Sequence, residues 1–394
     1  MTLLYIFTGL FCGFWVLIFS RLMWTLKRIP FFHNEVNKIE HELTHWPKIS
    51  VIIPACNEAE HIEEALSSVL ALNYPAIEFI VINDRSTDTT GEILNRMAAS
   101  DTRIQPVHID SLPARWLGKV HALHLGVQQA SGDWFLFTDA DIRFEPDALK
   151  HAMQYVAHHE VDHLALLPRV ILHNFWIEVA IRTFGLLFLL STRADQVNRP
   201  GSQTPMGIGA FNLVRAETFH QSPGFEWLRM EPGDDYGLGV MIKKAGGRTH
   251  FALADECLAV PWYASVKEMF KGLEKNLFGP GAHYRWWRML FMVAGLWVLV
   301  VAPATALVTG LVYDSNLLLL FAGLPIVFHL FFSVFFIREK RSESISLLFF
   351  PVGILLFSCM LLWSGYRCLK NGGIDWRGTH YSLDELREGQ RIKF

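Results

Sequence analysis

The chain has 394 residues, of which 51% are hydrophobic and only 19% are charged, and its formal net charge is −3. An ordinary soluble domain carries about 25% charged residues, so this chain is depleted in charge, and the four apolar stretches that cause the depletion exclude a wholly soluble enzyme and a disordered chain. A protein that binds nucleic acid normally shows a basic footprint, so we expect no nucleic acid among the partners.

Four uncharged apolar stretches explain the low charged fraction. They are Leu3–Ser20, Met289–Tyr313, Leu317–Ile337 and Ile345–Tyr366. Since about 20 apolar residues cross the hydrocarbon core of a bilayer, the sequence predicts a multi-pass protein of the cytoplasmic membrane. The first stretch lacks a signal-peptide cleavage site and is followed by basic residues, which indicates a retained anchor over residues 1–23. The other three stretches form a membrane region over residues 289–366.

The basic residues beside these stretches support two different topologies. By the positive-inside rule, residues 21–28 and the loop Arg338–Arg341 lie in the cytosol. Three simple crossings over residues 289–366 would place the basic tail, residues 367–394, outside, although its charge favours the cytosol. Either the fourth stretch crosses the membrane, or it re-enters at the Pro351 bend and the tail stays inside.

From Ile49 onward, short apolar strands alternate with helices. The predicted strands are Ile49–Pro54, Ile77–Ile82, Ile104–Ile109 and Trp134–Thr138, and the predicted helices are Glu58–Leu72, Thr87–Ala99 and Lys119–Ala130. Near-continuous apolar strands between helices predict an α/β fold with a mostly parallel sheet that is covered on both faces. Ligands of such sheets bind beyond the carboxyl ends of the strands, so polar residues there are the first candidates for function.

Asp139 and Asp141 directly follow the fourth predicted strand. Such hard oxygen ligands suit Mg²⁺ or Mn²⁺ that holds a diphosphate. Surface turns also produce the Asp-x-Asp pattern. The position after a buried strand favours the metal site.

Asp84 and Lys119 are candidates for binding a nucleotide. A carboxylate at the end of the second strand, such as Asp84, could accept hydrogen bonds from a nucleobase or ribose, whereas helix capping accounts for Thr87 and Asp88. A lysine at the start of a helix, such as Lys119, would attract phosphate. A solvated surface lysine is the alternative.

Asp234 and Asp235 precede a predicted helix, Tyr236–Ala245, and follow Glu231. Helix capping explains one carboxylate. Two adjacent carboxylates preceded by a third indicate a general base.

Two other patterns lack the spacing of a ligand site. The histidine cluster His158, His159 and His163 has no His-Glu-x-x-His spacing, so we expect no zinc. The run Gly207–Ala210 lacks the third glycine of a dinucleotide-binding motif.

The apolar segment Asn174–Ser191 carries only Glu178 and Arg182, spaced for an i,i+4 ion pair. It is either a buried core helix or an interfacial helix that guides a lipid acceptor.

Together these motifs resemble the inverting family 2 glycosyltransferases of GT-A fold. Ser50–Glu58 is similar to the opening strand of the family, and Asn83–Asp88 to its motif Asp-Asp-x-Ser-Thr-Asp, with Asn83 replacing the first Asp. Asp139–Asp141 matches the motif Asp-x-Asp, and Asp234-Asp235 matches the Glu-Asp pair. The resemblance covers about Lys48 to Phe278 and implies a GT-A domain over residues 48–288. Trp116–Gly126 and Gly373–Thr379 are similar, more narrowly, to membrane-bound hydroxychlorobactene-type glucosyltransferases, which include carotenoid- and hopanoid-associated relatives.

The resemblance implies a role for each residue in donor binding. Glu58, Asp84 and Asp139 would hold the uridine part of a UDP-sugar. Asp141, together with Asp139, would bind the divalent metal, Mg²⁺ or Mn²⁺. Lys119 would contact the nucleotide.

For the transfer step, the resemblance implies that Asp235 deprotonates the acceptor hydroxyl, with Asp234 beside it. We therefore expect an inverting enzyme that moves one sugar from a nucleotide sugar to a lipid hydroxyl of carotenoid, hopanoid or glycolipid type. Its catalytic domain would face the cytosol.

One departure bears on the alternatives. Processive relatives carry Gln/Arg-x-x-Arg-Trp, whereas Ala282 stands at the first position of that motif here. This disfavours a processive polysaccharide synthase, the first alternative. Lys275, Asn276 and Arg285 occupy the region and are weak candidates for the acceptor site. The second alternative is a membrane scaffold or transporter with an inactive GT-A domain, although the apolar stretches hold no acidic residue.

Overall fold

The computed structural model describes residues 2–40, 43–172, 174–263, 265–339 and 345–392. Lys340 and Arg341 of the basic loop and Lys393 of the tail lie outside these residues. The chain divides into two compact units. The helical unit comprises Met1–Arg28, Leu172–Asp195 and Tyr263–Asn371, and the sheet unit comprises Ile29–Ile171, Gln196–Trp262 and Gly372–Phe394.

All strands formed by the described residues lie in the sheet unit. These are β1 (Ile49–Ala55), β2 (Ile77–Asp84), β3 (Ile104–Ile109), β4 (Trp134–Phe137), β5 (Arg143–Phe144), β6 (His163–Leu167), β7 (Arg169–Ile171), β8 (Asn212–Arg215), β9 (Thr249–Leu253), β10 (Leu258–Pro261), β11 (Gly373–Trp376) and β12 (Thr379–Ser382). The main sheet has the order β3-β2-β1-β4-β8-β6-β9, and β5-β10-β7 form a smaller sheet. Only β8 runs antiparallel to its neighbours in the main sheet. The predicted mostly parallel α/β fold is confirmed.

Helices cover this sheet and build the helical unit. They are α1 (Thr2–Arg28), α2 (Phe32–Val36), α3 (Ile62–Leu70), α4 (Thr90–Ser100), α5 (Gly118–Gln129), α6 (Ala148–His159), α7 (Phe175–Ser191), α8 (Ala216–His220), α9 (Phe225–Leu228), α10 (Asp234–Lys244), α11 (Val266–Ala282), α12 (Trp286–Val312), α13 (Asn316–Glu339), α14 (Phe350–Asn371) and α15 (Leu383–Gly389). Ile49, Val51 and Ile52 of β1 are fully buried. This burial explains why the strand reads as a continuous apolar run.

The sheet unit differs from the domain that the sequence predicts over residues 48–288. It omits Leu172–Asp195, because the chain leaves the sheet after β7 and forms the apolar helix α7. It also includes the tail from Gly372 onward, which folds as the hairpin β11–β12 and the helix α15. The tail is therefore part of the unit that carries the strand-end carboxylates.

Among the described residues, four helices are long and apolar enough to cross a membrane. These segments are Tyr5–Arg28, Trp286–Val312, Asn316–Arg338 and Ser346–Asn371. The first one, in α1, continues to Arg28, beyond the predicted end at residue 23. In α7, Glu178 and Arg182 form the predicted ion pair at 2.6 Å.

Contacts within the helical unit define where α14 begins and ends. A 3₁₀ turn, Ser346–Phe349, precedes α14 and lies beside the middle of α13, where His329 Nε2 is 3.0 Å from the Leu348 carbonyl oxygen. At the other end of α14, Ser364 bonds to α11, whose Phe278 amide donates to the hydroxyl at 3.2 Å. Gly365 packs against Met289 in the first turn of α12. Helix α14 therefore runs from the middle of α13 to the start of α12.

Candidate functional site

The loops after β1 and β2 are joined by side-chain to backbone hydrogen bonds. The Asn57 amide donates to Ser86 Oγ at 3.0 Å, and the Glu58 amide donates to Thr90 Oγ1 at 2.9 Å. Asp88 accepts from the Ala59 amide at 3.1 Å. These bonds hold residues 57–59 in a loop, and α3 begins at Ile62 and not at Glu58 as the sequence predicts. Glu58 is thereby fixed in a loop at the sheet edge.

Lys119 is at the centre of an acidic cluster. Its amino group lies 2.7 Å from Asp139 Oδ1 and 3.4 Å from Asp234 Oδ2. Burial alone would lower the pKa of Lys119, but the carboxylates of Asp139, Asp234 and Asp235 outweigh it and raise that pKa. Lys119 is therefore a charged ammonium in contact with two of the predicted site residues, and the surface-lysine alternative is wrong.

The carboxylates on the β1 and β4 loops lie close enough to repel one another. Burial raises the pKa of Asp141 to about 7, and the nearby carboxylates of Asp139 and Glu58 add to that effect. Burial also raises the pKa of Glu58, although Arg377 opposes the shift. A cation bound between these groups would relieve the repulsion between them.

The carboxylate of Asp235 is held in place by two backbone amides. Its Oδ2 accepts from the Gly209 amide at 3.0 Å, and its Oδ1 accepts from the Tyr236 amide at 2.8 Å in the first turn of α10. Asp234 is only 5% exposed and shares Lys119 with Asp139. A cavity is lined by Lys119, Asp139 and both of these aspartates. The adjacent carboxylates are therefore held in different environments.

Two glycines that sequence reasoning excluded as a nucleotide motif support this cavity. A Cβ on Gly209 would lie 2.7 Å from Asp139 Oδ2, and one on Gly207 would overlap the Asp235 carbonyl oxygen. The chain can pass this close to both carboxylates only where no side chain is present. In the sequence, the short Gly-x-Gly run is the signal for this close approach of the backbone to Asp139 and Asp235.

Asp84 ends β2, as predicted, and is held by its neighbour Arg85. The guanidinium donates to Asp84 Oδ1 at 2.7 Å and to Oδ2 at 3.1 Å, and Asp84 is 3% exposed. The same guanidinium donates to Thr379 Oγ1 at 2.9 Å. A Cβ on Gly118 would overlap Asp84, so α5 starts directly against this pair. The sequence analysis assigns no role to Arg85, which orients Asp84, one of the residues predicted to bind the nucleotide.

The tail contacts the same cluster. Arg377 forms an ion pair with Glu58, and the Tyr381 hydroxyl accepts from the Gly118 amide at 3.1 Å. Further along, the carboxylate of Glu231 accepts from the Ile392 amide at 3.0 Å. The sequence signals for these contacts were the basic charge of the tail and the similarity of Gly373–Thr379 to a branch of the family.

The three weak acceptor candidates lie in the other unit. Lys275 and Asn276 belong to α11, and Arg285 precedes α12. All three are part of the helical unit, whereas the acidic cluster is part of the sheet unit. Their role stays a prediction.

The donor set fits a metal that is held jointly with a substrate. Among the described residues, no three His, Cys, Asp or Glu side chains are grouped so that they could hold a metal ion by themselves. Mg²⁺ and Mn²⁺ sites of nucleotide enzymes commonly use one or two carboxylates and complete their shell with phosphate oxygens and water. Asp141 and Asp139 suit that role. In the described part of the chain, the Asp141 carboxyl has no cationic partner at ion-pair distance.

His163 supports the neighbouring backbone and side chains of the sheet unit by hydrogen bonding. This histidine is fully buried, and its Nε2 lies 3.1 Å from Asn212 Oδ1, which also accepts from the Ile208 amide at 3.1 Å. Burial lowers its pKa to about 4. His163 therefore supports the Gly207–Ala210 segment as a neutral hydrogen-bond donor.

Comparison with protein families matches residues 50–222 to the model described as glycosyl transferase family 2. A 4,4'-diaponeurosporenoate glycosyltransferase of Staphylococcus aureus is 23% identical over 347 residues, which cover 86% of this chain and 89% of that protein. The poly-beta-1,6-N-acetyl-D-glucosamine synthase of Staphylococcus epidermidis is 32% identical over 144 residues. That match covers 36% of this chain and 33% of the synthase, so the chain corresponds to about a third of the synthase's length.

Among solved structures, the chain is similar to the mannosyltransferase PcManGT of Pyrobaculum calidifontis, solved in complex with GDP-Man and Mn²⁺. The two share 20% sequence identity at a TM-score of 0.56, over 91% of this chain and 98% of that one. The similarity shows that the sheet unit has the GT-A fold.

Proposed function

We propose that this chain, a glycosyltransferase with a glycosyl transferase family 2 domain, moves one sugar from a UDP-sugar to a hydroxyl of a membrane lipid with inversion. One observation carries the proposal. At the carboxyl edge of the sheet, Lys119 contacts Asp139 on the donor side and Asp234 beside the base Asp235. A single cation thus links the groups for donor binding with the groups for acceptor activation.

On the donor side, the site holds groups that suit a nucleoside diphosphate. Glu58 and Asp84 offer carboxylate oxygens to the hydroxyls and imino groups of the nucleoside. The ammonium of Lys119, near the start of α5, offers positive charge to the diphosphate. Asp141 and Asp139 would hold the divalent metal, Mg²⁺ or Mn²⁺, which neutralises the leaving diphosphate when bound.

On the acceptor side, we assign Asp235 as the general base. Asp234 forms an ion pair with Lys119, whereas the carboxylate of Asp235 accepts hydrogen bonds from the amides of Gly209 and Tyr236. Asp235 takes the proton of the acceptor hydroxyl while that oxygen bonds to the anomeric carbon. The bond from that carbon to the diphosphate breaks, and UDP leaves with its electron pair. One displacement inverts the anomeric configuration without a protein nucleophile.

A lipid acceptor is supported by the apolar helices and by one relative. The chain spans 89% of the S. aureus protein named for diaponeurosporenoate, a carotenoid, but only about a third of the polysaccharide synthase. The identity to the synthase is higher over that shorter region, at 32%, so a processive synthase is the second candidate function. The replacement of the first Gln/Arg by Ala282 supports transfer of a single sugar.

We further propose that α14 re-enters the membrane and does not cross it. Since α12 and α13 are joined by a short turn, the start of α12 and the end of α13 lie at one face of the bilayer. Helix α14 starts beside His329, ten residues or about 15 Å before the end of α13, and ends at the start of α12. The tail that follows α14 would then lie in the cytosol, on the same side as the basic Arg338 at the end of α13 by the positive-inside rule.

The experiment that tests the proposal compares the lipids of cells that contain the protein with those of cells that lack it. Lipid mass spectrometry is expected to find a species heavier by one hexose only when the active protein is present. Cells with the Asp235→Asn variant are expected to lack it. A ladder of products with many sugars would support the processive synthase, and no change in any lipid would contradict the proposal.

A further inference from the structure

The hairpin β11–β12 presents its turn to the donor site in a fixed conformation. Strands β11 and β12 pair antiparallel, with Trp376 opposite Thr379, so Arg377 and Gly378 form a two-residue turn. Both turn residues are in the left-handed region, with φ of 49° and 78°. These angles are typical of the turns that match the twist of a hairpin. The position of Arg377 is therefore set by the backbone of the hairpin.

Three residues at alternate positions of this hairpin contact the donor site. Thr379 and Tyr381 lie two residues apart in β12 and therefore on the same face of that strand, and Arg377 lies in the turn before it. Arg377 pairs with Glu58, Thr379 accepts from Arg85, and Tyr381 accepts from the Gly118 amide. On the intervening position, His380 pairs at 2.7 Å with Asp375 of the other strand and contacts none of these groups.

Each contact acts on a group that the proposed function uses for the donor. Thr379 holds one nitrogen of Arg85, whose other two nitrogens bind both oxygens of Asp84. Tyr381 fixes the first residue of α5, next to Lys119. Arg377 forms an ion pair with Glu58. One face of the tail thus supports three separate nucleotide-binding groups.

The tail is attached to the sheet unit independently of these three side chains. Helix α15 begins with a capping box between Ser382 and Glu385. Beyond it, Glu231 accepts from the Arg391 amide at 2.7 Å, and Ile392 is 3% exposed. Removing one hydrogen bond from the hairpin face should therefore leave the tail in place.

We propose that Arg377, Thr379 and Tyr381 are positioning residues for donor binding, so that the C-terminal hairpin is a required part of the nucleotide site. The inference rests on the proposed function, because the groups they orient are those assigned to the nucleotide. It accounts for a tail that returns to the catalytic unit after the last apolar helix.

The test uses the full-length protein in detergent and measures nucleotide binding as well as turnover. The variants Tyr381→Phe, Thr379→Val and Arg377→Gln each remove one contact, and His380→Gln is the matched control on the opposite face. Binding of UDP with Mn²⁺, and of GDP with Mn²⁺, is titrated for each protein. The melting temperature, the KM for donor and acceptor, and kcat are measured in parallel.

We expect each of the three variants to weaken UDP binding and raise the donor KM about five- to tenfold, as for loss of one hydrogen bond or ion pair. In these three variants the acceptor KM and the melting temperature should stay as in the wild type. The His380→Gln protein should equal the wild type in every measurement. Arg377→Lys should restore part of the binding that Arg377→Gln loses. Wild-type binding in all three variants would overturn this inference alone. If the wild type itself bound neither nucleotide, the proposed function would fail and this inference with it.

Discussion

The hydroxyl of Tyr381 lies 3.1 Å from the backbone nitrogen of Gly118, although 263 positions separate the two residues in the sequence. The chain between them includes α12, α13 and α14, each apolar and long enough to cross a membrane. Both residues belong to the sheet unit, so in the membrane topology that we propose both lie on the same side of the bilayer. An even number of the three helices must then cross it.

The first prediction concerns this topology. In a background without the five native cysteines, Asp384→Cys in the tail and Glu60→Cys after β1 should react with an impermeant thiol reagent from the same side. Both side chains are well exposed, at 91% and 87%. Asp314→Cys, in the turn between α12 and α13, should react from the opposite side. Reaction of Asp384→Cys together with Asp314→Cys would mean that α14 crosses the membrane.

The strand ends of the site could be predicted from the sequence because their signals are local. The bounds of β3 are those predicted, and Asp84 and Asp139 lie at the carboxyl ends of β2 and β4 as expected. Apolar runs with polar ends reflect burial of the strands, which neighbouring residues determine.

The contacts of the tail could not be predicted in this way. Arg377 meets Glu58 across 319 positions, and pairing between such distant segments leaves no periodic pattern in either one. The start of α3 was misplaced for a related reason, since Glu58 and Ala59 are held in a loop by the distant side chains of Thr90 and Asp88. Gly209 was excluded because its role depends on two carboxylates that only the fold brings close.

The second prediction concerns Gly209. In Gly209→Ala the new Cβ would lie 2.7 Å from Asp139 Oδ2, so the Asp139 carboxylate must move. We expect turnover to fall at least tenfold, because small displacements of catalytic groups are costly. Gly185→Ala in α7, where a Cβ meets nothing within 4 Å, is the control and should keep full activity. Equal activity of the two variants would show that the close approach is unimportant.

The third prediction concerns metal binding at Asp141. With a pKa raised to about 7, this carboxyl is largely protonated below pH 7 and must release its proton to bind a cation. In the presence of UDP, the Kd for Mn²⁺ should rise by up to about tenfold per pH unit as the pH falls below 7. Asp141→Asn should weaken binding and remove most of this dependence. Calorimetric titrations between pH 6 and pH 8 check this, and pH-independent binding in the wild type would contradict it.

The fourth prediction concerns stability and His163. Burial lowers the pKa of this histidine to about 4, below its ordinary value of 6.5. The unfolded chain therefore binds more protons between these values, and the stabilisation, at most about 3 kcal/mol, is lost as the pH falls from 6.5 towards 4. His250, also at about 4, adds to the effect. The melting temperature of His163→Gln should depend less steeply on pH in this window than that of the wild type. Parallel curves for the two proteins would refute the assignment.

The measurement that tests the central claim most directly is sugar transfer by the purified protein to extracted membrane lipids. Labelled UDP-sugars and GDP-sugars are supplied with Mn²⁺, and the wild type is compared with Asp235→Asn. The asparagine keeps an oxygen that can accept from the Gly209 amide but loses the basic carboxylate. The wild type should add one sugar to each lipid, and the variant should be at least about 100-fold slower while binding UDP equally well. Turnover of Asp235→Asn within a few-fold of the wild type would contradict the account.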